Sequence, residues 1–395
     1  MSEKVYVTGL GIISSLGLNL TETYQSLLAE RSGLERIKYL NTIHKDYFVA
    51  EVKASNKELS QMLGIDYKLD LPRTTLLAVK AAAEAFADAG LNANLAATTG
   101  IISGTTVGGM DKTERQYKIE GAGFDYIKSH SCGYSTEVVA DYIGLNGYIS
   151  TISTACSSAA NAVLIGSRLI KHGLADRILV GGTDALARFT LNGFKSLLIL
   201  DPNECKPFDK NRKGLNLGEG AAYIVIESEK SARKRGAKIL AEVAGYANAN
   251  DAHHQTASSP DGVGPYLCME KALKVAGLPA DAIDYVNVHG TGTENNDITE
   301  AIAMQSIFGS KMPLFSSTKS YTGHTLGASG AIEAIFSILS IQNEILFPNL
   351  RFTEKMEGFD KEPIKKVTPN TKVNHIMSNS FGFGGNDSSL IFSKV

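Results

Sequence analysis

The sequence predicts an α/β body made of two similar halves, and three observations carry that expectation. Short β-rich runs alternate with helical stretches along most of the chain, an order that builds at least partly parallel sheets covered by helices. Glycine-rich turns flank several of these runs, at 9–11, 104–109 and 382–385. The order of elements in the first part then returns, weakly, in the second.

In chain order, residues 5–8 read as a strand ending in Gly9-Leu10-Gly11. Residues 75–90 are Ala-rich with helical periodicity, and Gly90 supplies the stop. Residues 99–103 and 149–154 read as strands. Residues 156–172 read as a helix, with Lys171 and His172 in its last turn and Gly173 beyond. Residues 178–180 form a buried type of strand. In the echo, a run at 151–155 leads into Cys156 and a small-residue helix, and a run at 315–318 leads into His324 and an apolar helix over 327–342. Gly218-Glu219-Gly220 before a strand at 221–227 is matched by 382–385 before a strand at 389–393. The charged stretch 230–238 is the expected join, dividing residues 1–235 from residues 236–395.

Composition narrows the function classes. A formal net charge of −2 gives no electrostatic case for nucleic acid or an anionic membrane. No run of about 18 apolar residues offers a membrane span, and residues 1–4 lead directly into a β-rich run instead of a signal peptide's apolar core. The four cysteines, at 132, 156, 205 and 268, form no CxxC pair, which suits a reducing, cytoplasmic setting. His253-His254 lacks a third ligand at suitable spacing and is weak evidence for a metal. Gly9-Leu10-Gly11 hints at a dinucleotide turn, but the third glycine position holds Ser14.

Three segments carry chemistry. In Thr154-Ala155-Cys156-Ser157-Ser158 the cysteine lies between a strand and a helix start. A helix N-terminus favours the thiolate, and its N–H groups suit an oxyanion. The same segment also fits a buried structural cysteine. His289 ends a β-rich run before Gly290-Thr291-Gly292. That position suits catalysis, or a hydrogen bond to the turn. His324 follows Lys319 by five residues and precedes Glu333 by nine. A Lys and a Glu in so apolar a region are costly to bury unpaired.

Thr154-Ala155-Cys156-Ser157-Ser158, Val288-His289-Gly290-Thr291-Gly292-Thr293, Lys319-Ser320-Tyr321-Thr322-Gly323-His324 and Asn379-Ser380-Phe381-Gly382-Phe383-Gly384-Gly385 together resemble the elongating β-ketoacyl-acyl-carrier-protein synthases of the thiolase superfamily. The resemblance covers essentially the whole chain. It implies a thiolase-like fold of two duplicated halves in an αβαβα body. It also implies decarboxylative condensation of an acyl thioester with malonyl-acyl-carrier protein, in fatty-acid, polyketide or polyene synthesis, with no metal or redox cofactor. By resemblance Cys156 is the nucleophile, His289 and His324 are the decarboxylation pair, and Lys319 with Glu333 tunes His324. Asp297 supports the His289 loop, and Phe383 gives an oxyanion N–H and gates the acyl pocket. Val107 helps set acyl length. Arg212, Lys213, Lys68 and Arg73 are candidates for docking an acidic acyl-carrier protein. A homodimer is implied, with residues 151–154 at its interface, or a heterodimer with a chain-length-factor-like subunit. A dead partner subunit would lack the nucleophile, and a degradative thiolase would carry a second cysteine in the loop 381–386. The chain departs from the family in Asn386-Asp387, where Thr-Asn is more usual, and in lacking Pro after Thr293.

Overall fold

The computed structural model describes residues 3–121 and 123–395. Ten strands form one sheet: β1 Val5–Ser14, β2 Gly100–Gly104, β3 Ile149–Ile152, β4 Arg177–Asp184, β5 Gly220–Ser228, β6 Ala241–Asn250, β7 Tyr285–Asn287, β8 Leu314–Ser316, β9 His375–Gly382 and β10 Asn386–Ser393. Their order is β8-β7-β9-β10-β6-β1-β5-β4-β2-β3. Read outward from the centre, β1-β5-β4-β2-β3 on one side is matched by β6-β10-β9-β7-β8 on the other. The directions repeat too. β4, β2 and β3 run parallel, as do β9, β7 and β8, while the central pairings are antiparallel. Among the described residues the two wings pair at Tyr6↔Glu242 and Val7↔Ala241.

Helices fill the remaining layers. Those that position the site are α1 Arg73–Asp88, α2 Cys132–Ile143, α3 Ser158–Lys171, α4 Arg188–Ser196, α5 Val263–Ala276, α6 Glu294–Phe308 and α7 Ser329–Asn343. The apolar side chains of α3 and α7 share one core with residues of both wings, including Val7 and Ile224 on one side and Ile376 and Leu390 on the other. α1 and α2 close the outer face of the first wing, and α5 and α6 close that of the second. The result is the layered αβαβα body expected. No helix among the described residues is long and apolar enough to cross a membrane.

β1 runs well past its expected end at residue 8. All ten of its residues are buried, and Gly9 and Gly11 are where α1 crosses it. A Cβ at Gly11 would stand 2.1 Å from Ala81 O, and one at Gly9 would stand 2.5 Å from Ala85 O. These glycines permit close helix–strand approach instead of breaking the strand. The hinted dinucleotide turn therefore does not exist. α1 also corrects a docking expectation. Arg73 is only 8% exposed and pairs with Glu219 at 2.6 Å, while its guanidinium also donates to the carbonyls of Val52 and Ala54. A buried, fully engaged guanidinium cannot meet a carrier protein.

Candidate active site

The turn that carries Cys156 is built from small residues under strain. After β3 ends at Ile152, Ala155 adopts φ +51°, a left-handed conformation costly to any residue with a Cβ. Ser158 holds the turn: its Oγ accepts from Thr154 N–H at 2.9 Å and donates to Ala155 O at 2.6 Å. Cys156 is thereby buried against the second half of the chain, with Sγ 3.0 Å from His324 Nε2. Burial pushes its thiol up to about 12, against the pull of the Lys319 charge and the N–H groups of Phe383 and Cys156 itself. The expected thiolate-favouring setting is thus outweighed, because α3 starts two residues later and the sulfur is shielded from water. The other three cysteines are free, with thiols raised by burial, and they do not line the cavities at Cys156.

The two histidines meet from separate loops. His289 follows β7, and its N–H and that of Gly290 each donate to Glu300 at 2.9 Å. His324 contributes Nδ1 to a 3.0 Å contact with Ser329 Oγ at the start of α7. The two rings lie 5.3 Å apart between centroids, nearly perpendicular. His289 Nδ1 has no hydrogen-bond partner among the described residues. Burial, and then the Lys319 charge, hold both imidazoles well below their ordinary value, so both are neutral at physiological pH. Lys319 and Glu333 form a buried ion pair at 2.5 Å. Burial raises the Glu333 carboxyl to about 7 despite Lys319. Asp297, fully buried, accepts from the N–H groups of Phe208 and Gly292 at 2.7 and 3.1 Å, which fixes the loop after His289.

Two cavities meet at Cys156. The larger, of about 440 Å³, also takes in His289, His324, Lys213 and Thr293. The smaller, of about 200 Å³, takes in Val107, Met110 and Leu326. Phe194 of α4 and Phe383 line both, and their rings stack at 5.6 Å and 17°. They stand as a partition between the two. Phe383 lies in the turn from β9 to β10, where Gly384 and Gly385 have φ of +79° and +71°. Val107 thus lines the apolar cavity beside Cys156.

The docking candidates separate. Lys213 is exposed and lies at the larger cavity, and Lys68 is exposed on a short turn before α1. Arg212 does not fit the expectation. Its side chain is 10% exposed, and its guanidinium donates to the carbonyls of Asp209, Thr293 and Glu294. It braces this loop. Glu300, Ser329 and Phe194 were not singled out from the sequence. Only Glu300 carries a readable signal, one helical turn after Asp297 on α6. Among the described residues no group of three potential ligands could hold a metal ion.

The sequence matches the beta-ketoacyl synthase N-terminal domain over residues 2–232 and the C-terminal domain over residues 240–353. It is 33% identical to 3-oxoacyl-[acyl-carrier-protein] synthase 2 of Coxiella burnetii, covering 99% of each chain. The ishigamide ketosynthase/chain length factor structure superposes with a TM-score of 0.93 at 32% identity, over the full length of both chains. A type II polyketide ketosynthase solved with its acyl-carrier protein superposes with a TM-score of 0.90 at 26% identity, again over both full lengths. With the Cys–His–His constellation in place and both domains matched, the chain belongs to the β-ketoacyl synthase family.

Proposed function

We propose that this chain is an elongating ketosynthase that condenses a Cys156-bound acyl group with malonyl-acyl-carrier protein. The observation that carries the reading is the convergence of Cys156, His324 and His289 on one cavity, with Sγ 3.0 Å from His324 Nε2. Cys156 sulfur attacks the acyl thioester, its proton passing to the neighbouring imidazole. The oxyanion is met by the N–H groups of Cys156 and Phe383, the two that already act on the sulfur. Collapse expels the carrier sulfur, which takes that proton from the imidazole and leaves as the thiol, so the acyl-enzyme forms with the histidine neutral again. Malonyl thioester then enters, and its C–C bond to the carboxylate breaks, releasing CO₂. The electron pair moves onto the thioester oxygen as an enolate. Neutral His289 and His324 can donate N–H hydrogen bonds to that oxygen without protonating the carbon. The enolate carbon attacks the acyl carbon, and the Cys156 thiolate leaves.

In this reading Lys319 keeps the imidazoles neutral, Glu333 balances its charge, Phe383 gates the smaller cavity, and Val107 limits the acyl chain. Lys213 and Lys68 offer positive charge to an acidic carrier. The repeated strand order supports a division into two thiolase-like halves, residues 1–235 and 236–395. The chain works as a dimer, since β3 is an edge strand with Ile149 44% exposed, a surface that pairs readily. Similarity to a ketosynthase/chain length factor structure favours a second arrangement, in which this chain is the active half of a heterodimer. A cytoplasmic location accords with the free cysteines.

The test offers purified protein an acyl-carrier thioester and malonyl-carrier protein, and detects the β-ketoacyl product by mass spectrometry. Product from the parent and none from Cys156→Ala is expected. Undiminished product from Cys156→Ala overturns the assignment.

A further inference from the structure

Asn386-Asp387, the pair that departs from the family, lies at the end of the turn carrying Phe383. That turn is tied to the segment after β6. Asp251 N–H donates to Gly385 O at 3.2 Å, and Gly384 N–H donates to Gln255 O at 2.8 Å. Asn250 Nδ2 donates to Gly384 O at 2.8 Å. The Asp251 carboxylate fits against Gly385, where a Cβ would stand 2.2 Å from its Oδ1. Asp387 approaches the same place from β10. A Cβ on Gly264, at the start of α5, would stand 2.2 Å from Asp387 Oδ2 and 2.7 Å from Asp251 Cβ. The two carboxyl side chains therefore share one small space against α5.

Asp387 is 1% exposed, and its Oδ2 has no hydrogen-bond partner among the described residues. The charged groups that face it are Asp251, from the segment after β6, and Glu300, from α6. The Cys268 thiol faces it from α5, and no Lys or Arg of the described residues bridges to it. Asp251 accepts from the N–H groups of His253 and Ser259, and Glu300 accepts from His289 and Gly290 N–H and from Asn379. Burial still raises the Glu300 carboxyl to about 7 despite those donors, and Asp387 has the Gly382 N–H in its favour but no partner for Oδ2 among the described residues. An unpaired buried carboxyl takes up a proton instead of staying charged, and the protonated form gains an O–H donor.

We propose that Asp387 is a positioning residue for the Phe383 gate: holding a proton, it braces the turn between β9 and β10 against Asp251, and on losing that proton it is repelled by Asp251 and Glu300, loosening the turn and opening the smaller cavity to longer acyl chains. The inference rests on the functional reading above, in which Cys156 takes the acyl group and Phe383 gates its pocket. Burial, then Asp251 and Glu300, raise the Asp387 carboxyl to about 8, which puts the change within reach of a slightly alkaline medium. An asparagine at this position would hydrogen-bond the same neighbour at every pH.

The test measures, by intact mass, the rate at which Cys156 is acylated by a long-chain acyl pantetheine thioester and by acetyl pantetheine. The range runs from about pH 6 to about pH 10, bracketing the transition of the carboxyl. The ratio of the two rates cancels the ionisation of the thiol itself. In the parent the long-chain to acetyl ratio should rise several-fold across the transition. Asp387→Asn should hold the ratio low and flat, and Asp251→Asn, which removes one repelling charge, should move the rise to lower pH. A flat ratio in the parent, or a rise that survives in Asp387→Asn, overturns the inference while leaving the nucleophile assignment intact. Failure of both thioesters to mark Cys156 in the parent overturns the functional reading and this inference with it.

Discussion

At Cys156 and the two histidines the electrostatics favour neutral forms, with the thiol raised and both imidazoles lowered by burial. A neutral N–H donor stabilises an enolate without quenching it, which a protonated imidazole would do. Because both imidazoles stay neutral, CO₂ release from malonyl-carrier protein should show no acid limb near pH 6.5, the ordinary histidine range. A fall in rate centred there would contradict the neutral assignment. The same depression has a stability consequence. The unfolded chain binds protons at these histidines below about pH 6.5 and the folded chain does not. Thermal stability should therefore drop as pH falls through that value, and less so in His289→Ala. Cys156, His289 and His324, which meet at one cavity, were legible in the sequence because each stands beside small residues, Cys156 and His289 just after a strand and His324 just before an apolar helix. Glu300 was not, since its carboxylate gains meaning only where α6 meets the backbone of the His289 loop. Arg73 and Arg212 were misjudged for the same reason: a positive charge in the sequence does not reveal the carboxylate or carbonyls that will bury it.

Among the elements, the strands and helices read from the sequence lie close to their expected places, whereas α2, α4, α5 and α6 were not read from it, and β1 runs well past its expected end. Glycines at 9 and 11 ended it on paper, because a lone glycine weakens a strand, but here α1 packs across those two positions. The paired helices α3 and α7 were legible from their small and apolar residues. The ion pair that α7 makes with the short helical turn Lys319–Thr322 before it, Lys319–Glu333, is nearly inaccessible to water. Removing one partner strands the other, so Lys319→Ala should cost about 3–5 kcal/mol of folding stability. Chemical denaturation measures this, and a loss under about 1 kcal/mol would mean that the pair is not buried as described. At the smaller cavity, Val107→Phe adds volume beside packed side chains, and overpacking costs about 1–3 kcal/mol. That is roughly a 5- to 150-fold loss in rate for acyl chains that reach the residue. The acyl-length profile should shift to short chains while CO₂ release from malonyl-carrier protein is kept. An unchanged profile would remove Val107 from the pocket wall.

For the whole molecule, the repeated strand order is what brings Cys156 from one wing against His289 and His324 from the other, across the shared helical layer. The sequence showed this repeat only as a faint echo, because topology is kept by burial pattern and not by residue identity. The proposed dimer uses the exposed edge of β3. Ile149→Lys places a charge on that edge, and light scattering should then report half the parent's mass; an unchanged dimer would locate the interface elsewhere. The division of labour between the wings is tested most directly by following two events in one variant, His289→Ala. Incubated with acyl-carrier thioester and then malonyl-carrier protein, it should still gain the acyl mass on the peptide containing Cys156 and release almost no CO₂. Normal CO₂ release from this variant, or acyl mass on any residue other than Cys156, would contradict the proposed chemistry.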